Sequence, residues 1–182
     1  IYVFTVDGAI PSGFPFETGG KISTDPALAD LTGDGKLEII FGSDDENLYI
    51  IDWKGKLISN YYVGDKIQSS PIIDDLDNNG ELEIIFGANN GNLYAVNFRE
   101  GALIDLSGWP IALGSTPIKG SPVSFDLNNN GIAEVIASAS EGLLFAVEFD
   151  GSIAPNFPVN NFGSNELSFS VDDIDGDGDA EI

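Results

Sequence analysis

The chain has 182 residues, of which 42% are hydrophobic, and its 30 acidic residues against seven basic ones give a formal net charge of −23. This apolar content is enough for a folded domain with a sizeable core. Cysteine and histidine are both absent, which excludes disulfides, thiolate chemistry, the usual zinc ligands and the commonest general base. The shortage of Lys and Arg argues against binding to nucleic acid or anionic membranes, whereas the acidity favours hard cations.

No apolar run approaches the roughly 18 residues that suggest a membrane-spanning helix, and the first residues lack the basic and then apolar pattern of a secretion signal. The chain begins at Ile1 and contains no methionine. We therefore expect a processed product or a piece of a longer protein.

An acidic nine-residue motif occurs four times. The copies are loop one, "DLTGDGKLE" at 30–38; loop two, "DLDNNGELE" at 75–83; loop three, "DLNNNGIAE" at 126–134; and loop four, "DIDGDGDAE" at 173–181. Their first aspartates are 45, 51 and 47 residues apart, a spacing typical of four-stranded propeller blades, which repeat about every 40 to 50 residues.

The same strand pattern surrounds the loops. Proline lies four residues before the first aspartate at Pro26, Pro71 and Pro122, and Phe169 takes that place in the fourth copy. Two apolar runs follow, as in "EIIFGANNGNLYAVNF". They lack polar alternation, as expected where both faces of a sheet are covered, and no segment has the sustained period of a long helix.

These patterns predict an all-β fold, a β-propeller of four-stranded antiparallel blades with three complete blades and two partial ones, in a single domain or an arc of one over 1–182. The predicted segments are 1–24 for the end of one blade, 25–69, 70–120 and 121–167 for whole blades, and 168–182 for the start of another. "IYVFTVDG" at 1–8 matches the third strands. The elements "GFP", "GWP" and "NFP" are predicted to begin the outer fourth strand.

Oxygen-bearing residues at loop positions 1, 3, 5 and 9, with glycine at 6, are typical of a loop that wraps a hard cation, and position 7 would add its backbone carbonyl. The predicted ligands are Asp30, Thr32, Asp34, Lys36 and Glu38 in loop one; Asp75, Asp77, Asn79, Glu81 and Glu83 in loop two; Asp126, Asn128, Asn130, Ile132 and Glu134 in loop three; and Asp173, Asp175, Asp177, Asp179 and Glu181 in loop four.

These loops are not EF-hands, because Phe41, Phe86 and Ala137 stand at position 12, where an EF-hand has an acidic ligand. The ninth-position glutamate has to close each site instead. Flexible all-oxygen loops favour Ca²⁺ over Mg²⁺, in up to four sites. At positions 1, 3, 5 and 9, where the side chain would bind, carboxylates number 3, 3, 2 and 4 in chain order, so occupancy is predicted to be highest in loop four and lowest in loop three. The alternative is metal-free turns in which Asp and Asn bond their own backbone.

The signature "SPxxxDLDxxGxxEIIxG" resembles the FG-GAP/VCBS-type calcium-loop β-propeller repeats, a family that includes the integrin alpha-chain head and many bacterial and archaeal surface proteins. The resemblance implies calcium at the loop positions just named. It also implies that a protein or glycan partner meets the opposite face, formed by the loops between strands 2 and 3 and between strands 4 and 1. The Gly-Ala-Pro element of the family is missing, and "GNLYAVNFREG" is also similar to quinoprotein propeller repeats.

The leading functional hypothesis is a calcium-stabilised, non-catalytic module of an extracellular or cell-surface (secreted) protein, serving adhesion, protein interaction or surface assembly. The alternative is a propeller domain of a calcium-dependent carbohydrate-active enzyme or a quinoprotein-like dehydrogenase. Trp53, Trp109, Tyr61 and Tyr62 could stack on sugars or a quinone, although aromatic residues in a β-protein more often pack between blades. Self-association of repeated modules is a third possibility. No catalytic residue is assigned.

Overall fold

In the computed structural model, residues 1–139, 142–160, 169–177 and 180–182 are described. They form thirteen β-strands, and no α-helix occurs within these ranges. Accordingly, the described part of the chain offers no helix with the length and apolar character needed to cross a membrane. The predicted all-β fold is confirmed.

The strands form three antiparallel sheets, each with its first four strands hydrogen-bonded in chain order. The first sheet contains β1 (Ala27–Ala29), β2 (Glu38–Gly42), β3 (Asn47–Ile51) and β4 (Leu57–Tyr62). The second contains β5 (Ile72–Asp74), β6 (Glu83–Gly87), β7 (Asn92–Arg99), β8 (Ala102–Asp105) and β9 (Ile111–Ala112). The third contains β10 (Val123–Phe125), β11 (Glu134–Ala139), β12 (Leu143–Val147) and β13 (Val159–Asn160).

The second strand of every sheet is buried on both faces, as the unbroken apolar runs predicted. Successive side chains of a strand point to opposite faces. Ile84 and Phe86 of β6 therefore pack against the first sheet, whereas Ile85 between them packs against the third. The sheets thus lie face to face in chain order, which is the stacking expected of propeller blades.

Aromatic clusters fill the spaces between sheets. Phe86 and Tyr94 stack with their ring centroids 5.0 Å apart, and Tyr61 of the first sheet meets Phe86 edge-on at 6.4 Å. Phe41 and Tyr49 repeat the stacked pair in the first sheet, at 5.5 Å. Offset and edge-on arrangements of this kind add to the energy of apolar burial. The aromatic positions of the repeat therefore hold neighbouring sheets together.

The fourth strand differs from the prediction. In the second sheet it is split, since β8 and β9 both pair with β7, at opposite ends, and "GWP" at 108–110 lies between them. In the third sheet, Ile153 bridges to Val147 before "NFP", and β13 follows it. "GWP" and "NFP" therefore interrupt the fourth strand and do not begin it. At "GWP" the backbone turns towards the neighbouring sheet, since a Cβ on Gly108 would lie 2.0 Å from the Asp150 carbonyl oxygen.

Residues 1–24 contain no assigned strand, although 1–8 was predicted as a third strand. None of the described strands pairs with residues 1–8, so no strand is assigned there. The segment still makes the turn that ends such a strand, because Thr5 N–H donates to the Ala9 carbonyl at 2.9 Å as Asp52 N–H does to that of Lys56. Phe16 packs its apolar ring on the first sheet. The precise blade limits remain a prediction.

Candidate metal-binding loops

Loops one, two and three each connect the first two strands of a sheet, and the ends of loop four meet in an isolated bridge between Asp172 and Glu181. Each loop is held by its first aspartate. In loop two, Asp75 accepts hydrogen bonds from the backbone N–H groups of Asn79 (2.9 Å) and Gly80 (2.8 Å). Asp30 and Asp126 accept the same two bonds, from positions 5 and 6, in loops one and three. In loop four, Asp173 accepts the N–H of Gly176 at position 4. The carboxylate at position 1 thus fixes the curvature of the loop.

The fourth loop position needs a left-handed backbone, which the sequence analysis did not single out. Asn78 and Asn129 both have φ of +57°, and Gly33 and Gly176 have φ of +72° and +79°. Glycine and asparagine tolerate this region best. Their alternation at position 4 was visible in the four copies and is the signal that could have revealed this turn.

The ninth-position glutamate folds back onto the start of its loop in all four copies. Its Oε2 accepts the backbone N–H of position 2, at distances between 2.8 and 3.0 Å; the donors are Leu31, Leu76, Leu127 and Ile174. The glutamate therefore closes each loop through a hydrogen bond. Whether it is also a metal ligand stays a prediction.

Glu83 shows the electrostatic cost of this arrangement. Glu83 lies at the start of β6 and is 1% exposed, and its Oε1 accepts a 2.6 Å hydrogen bond from Asn97 Nδ2. Burial raises the pKa of Glu83, the hydrogen bonds from Leu76 and Asn97 oppose that rise, and the charges of Asp77 and Asp75 add to it. A cation here would relieve both the repulsion and the lost solvation. The sequence analysis did not identify Asn97, although its amide side chain stands out within the apolar run of β7.

Three carboxylate oxygens converge in two of the loops. Within the described ranges, the groups that bring three ligand oxygens within 4.8 Å of one another are Asp75, Asp77 and Glu83 in loop two and Asp173, Asp175 and Asp177 in loop four. Carboxylate oxygens are the ligands that hard cations prefer. The residues of these two loops therefore fit Ca²⁺ by donor chemistry.

Loop one is arranged differently. Asp34 forms an ion pair with Lys36 at 3.4 Å, and its Oδ1 accepts the Lys36 N–H at 2.8 Å. Asp30, Asp34 and Glu38 do not form a converged group of the kind found among the described residues of loops two and four. Loops one and two, which the sequence ranked equally, thus differ in geometry.

Loop three has a carboxylate that the sequence analysis did not include. Glu148 directly follows β12 and faces Glu134, in the place that Asn97 takes opposite Glu83. Burial raises the pKa of Glu134, and a hydrogen bond and the negative charge of Glu148 raise it further. Asn128 donates its Nδ2 to Glu134 Oε1 at 2.6 Å, so this amide presents a donor to the glutamate.

Other predicted ligands make hydrogen bonds within their own loops. Asn79 and Asn130 accept the backbone N–H of position 7 through Oδ1, at 2.6 and 2.7 Å. Thr32 N–H donates to Glu38 Oε2 at 3.2 Å. Asp179 lies outside the described residues. Such hydrogen bonds suit an Asx-type turn as well as a cation loop, because a carboxylate or amide oxygen that accepts one N–H keeps a second lone pair.

The two tryptophans have different surroundings. Trp109 is 6% exposed and donates its Nε1 to the Phe149 carbonyl of the third sheet at 2.9 Å, so it packs between blades. Trp53 is 48% exposed on the turn after β3. Tyr61 packs between the first and second sheets, and Tyr62 is exposed.

Comparison with known proteins supports the fold. No protein-family profile matches the chain, and no curated protein matches it by sequence. Among solved structures, the biofilm matrix protein Bap1 of V. cholerae is 26% identical with a TM-score of 0.65, over 96% of this chain and 26% of the Bap1 chain. BamB of Moraxella catarrhalis is 21% identical with a TM-score of 0.52, over 77% of this chain and 37% of that one. BBS1N, crystallised with ARL6DN, is 16% identical with a TM-score of 0.58, over 88% of this chain and 47% of the BBS1N chain.

These neighbours are β-propeller-like proteins, and the three stacked sheets, which are four-stranded when the split fourth strand of the second is counted as one, share that architecture. The chain spans about a quarter of the length of Bap1 and less than half of the other two. The fold class is therefore an all-β, propeller-like arrangement of blades.

Proposed function

We propose that this chain is a calcium-stabilised β-propeller module of the FG-GAP/VCBS type, in an extracellular or cell-surface protein that serves adhesion, protein interaction or surface assembly. The observation that carries the proposal is the convergence of three carboxylates in loop two, at positions 1, 3 and 9, and again in loop four, at positions 1, 3 and 5. A chain of net charge −23 gains stability from bound dications, because they reduce its self-repulsion.

The residues that would hold the ion are those of the loops themselves. Asp75, Asp77 and Glu83 would supply carboxylate oxygens, and Glu81 its backbone carbonyl. When bound, the ion would supply positive charge that links the end of β5 to the start of β6. Buried Glu83 would then keep its ionised form without the penalty that now raises its pKa.

A surface role is supported by the similarity to Bap1, which covers 96% of this chain. Bap1 is a biofilm matrix protein, and we propose an adhesive or matrix-building role for this chain by that similarity. A protein or glycan partner, or a second copy of the chain, would meet the face opposite the calcium loops. Side chains there are already held in place, since Asp44 pairs with Lys66 at 3.6 Å and accepts a hydrogen bond from Gln68 at 2.9 Å.

The test is thermal melting of metal-stripped protein with and without Ca²⁺, using Asp77→Asn and the control Glu17→Gln. Both variants remove one negative charge, but Glu17 is exposed near the turn between β2 and β3, to which Gly19 bonds through Asp45. Calcium is expected to raise the melting temperature of the wild type and of the control, and to raise that of Asp77→Asn less. Equal shifts in the two variants would contradict a site in loop two.

A further inference from the structure

In each sheet, the residue at position 7 of the acidic loop lies beside the turn that follows the third strand. Lys36 Nζ lies 5.4 Å from the centroid of the Trp53 ring, Glu81 forms an ion pair with Arg99, and Ile132 lines one cavity together with Phe149. We call this meeting of loop position 7 with the turn after the third strand the junction of a sheet. The junction holds a cation–π pair in the first sheet, an ion pair in the second and a cavity shared by two apolar side chains in the third.

The junction of the first sheet is cationic and aromatic. Lys54 Nζ lies 4.7 Å from the Trp53 centroid, in addition to Lys36 at 5.4 Å, and Lys56 follows in the same turn. Three of the seven basic residues of the chain thus stand at one junction. The corresponding turn of the third sheet has Glu148 and Asp150, so the positive charge is not a general feature of the repeat.

A cavity of about 570 Å³ opens at this junction, between residues 11–13 and the turn. Its lining residues are Pro11, Ser12, Gly13, Trp53 and Lys54. Its walls are fixed against each other, because a Cβ on Gly13 would lie 1.9 Å from the Lys54 carbonyl oxygen. The volume falls in the range of small-ligand sites, which are about 300 to 1,000 Å³.

Three consecutive backbone N–H groups of the turn are already used within it. Asp52 Oδ1 accepts the N–H groups of Lys54 and Lys56, each at 2.8 Å, and the Asp52 carbonyl accepts that of Gly55 at 2.9 Å. An extended peptide is usually held through a run of main-chain hydrogen bonds, for which these three donors are not free. The junction instead offers a ligand an exposed aromatic surface and ammonium groups.

We propose that this junction binds an acidic saccharide, a pyranose ring that carries a carboxylate. The apolar C–H face of the sugar packs against exposed indole surface of Trp53, the carboxylate pairs with Lys54 and Lys36, and a ring hydroxyl bonds Ser12. Among the described residues, Lys54 has no carboxylate ion pair of its own, so its charge is available. At physiological ionic strength the Debye length is about 8 Å, so carboxylates farther away are largely screened. Asp34, which pairs with Lys36 at 3.4 Å, and Asp52 in the turn lie closer, and Lys54 is therefore the main cation of the site.

The site lies on the same face as the acidic loops, since Lys36 belongs to loop one. This differs from the partner face that the repeat resemblance implies. The inference deepens the proposed adhesive role by naming a ligand class, but none of its contacts includes a metal ion. Its failure and the failure of the calcium proposal can therefore be told apart.

The experiment measures binding of tetragalacturonic acid by calorimetry in calcium-containing buffer, with neutral maltotetraose and a short poly-glutamate peptide as comparison ligands. The variants are Trp53→Ala, Lys54→Gln and the control Lys66→Gln, whose side chain pairs with Asp44 outside this junction. Trp53 and Lys54 are both exposed, so both variants should fold, and circular dichroism checks this.

We expect saturable binding of the tetrauronide, weakened at least about tenfold by Lys54→Gln and by Trp53→Ala, and unchanged in Lys66→Gln. Maltotetraose and the peptide should bind at least about tenfold more weakly. Absence of tetrauronide binding to wild type, or equal binding in folded Trp53→Ala, would overturn the proposal. Equally tight binding of poly-glutamate would overturn its saccharide part. The calcium melting shift, read on the same samples, separately tests the calcium proposal.

Discussion

Glu83 Oε2 accepts the backbone N–H of Leu76 at 3.0 Å, and the carbonyl of Leu76 in turn accepts the N–H of Ala133 at 2.8 Å. The buried carboxylate that closes loop two is thus joined through the backbone of one residue, Leu76, to the end of loop three. Asn78 Nδ2 adds a second link, to the Gly131 carbonyl at 2.5 Å. The loops therefore brace neighbouring sheets as well as connecting strands within a sheet.

The first prediction concerns pH. Burial raises the pKa of Glu83 above its ordinary value of 4.5, and burial and Glu148 raise that of Glu134. Above pH 4.5 the native state then binds more protons than the unfolded state, so stability falls as pH rises through this range. Metal-free protein should need more urea to unfold at about pH 5 than at about pH 7.5, and Glu83→Gln should flatten the difference.

Carboxyl groups with a lowered pKa act at lower pH and do not reverse this trend. The hydrogen bonds from the Ser152 side chain and backbone lower the pKa of Asp150 below 3.8, and the stability they provide is lost only as pH falls through that lower range. A metal-free protein that is more stable at pH 7.5 than at pH 5 would contradict the account of the two buried glutamates.

The second prediction is that Glu148→Gln stabilises the metal-free protein at neutral pH. The change removes a negative charge that faces buried Glu134 and should raise the free energy of unfolding by about 0.5 to 1 kcal/mol. Urea denaturation measures the effect. Glu100→Gln, on an exposed turn, should change stability by less than about 0.5 kcal/mol. Destabilisation by Glu148→Gln would show that the two glutamates do not repel each other.

The third prediction tests the contact between the second and third sheets. Gly108 has φ of +92°, and a Cβ there would lie 2.0 Å from the Asp150 carbonyl oxygen. Gly101 in the same sheet has φ of +83° with open space around it. Gly108→Ala should lower the free energy of unfolding by about 3 kcal/mol or more, and Gly101→Ala by about 1 to 2 kcal/mol. Similar losses in thermal or urea unfolding would contradict the close approach.

The fourth prediction concerns the first and second sheets. Tyr61 Oη donates to Asp105 Oδ1 at 2.6 Å, joining β4 to β8. Burial raises the pKa of Tyr61, and the Asp105 hydrogen bond and charge raise it further. A double-mutant cycle of Tyr61→Phe and Asp105→Asn should give a coupling of about 1 kcal/mol. Tyr2→Phe at an exposed residue is the control, and a coupling near zero would remove this link from the account.

Much of the fold could be predicted because the signals are local. The apolar runs of β2, β6 and β11, the prolines before the first strands and the repeat length all follow from short stretches of sequence. The split fourth strand could not be predicted, since it depends on how Gly108 meets Asp150 in the next sheet. A contact between residues 42 apart leaves no local periodicity.

The types of metal-ligating side chain in the loops could be predicted from the sequence, but the residues from other strands that contact them could not. The alternating acids of loop two indicated ligand positions, but Asn97 and Glu148 face the ninth-position glutamates only through the pairing of the second and third strands. Likewise, the sequence ranked loops one and two equally by carboxylate count. The ion pair of Asp34 with Lys36 distinguishes them, and counting charges does not show it.

Calcium binding by loops two and four is tested most directly by calorimetric titration of metal-stripped protein with CaCl₂, with MgCl₂ in a parallel titration. We expect saturable binding of at least two calcium ions, in loops two and four, more tightly than magnesium. One of these sites should be lost in Asp77→Asn. No saturable binding of calcium, or the same stoichiometry in Asp77→Asn as in wild type, would contradict the claim that these loops hold calcium.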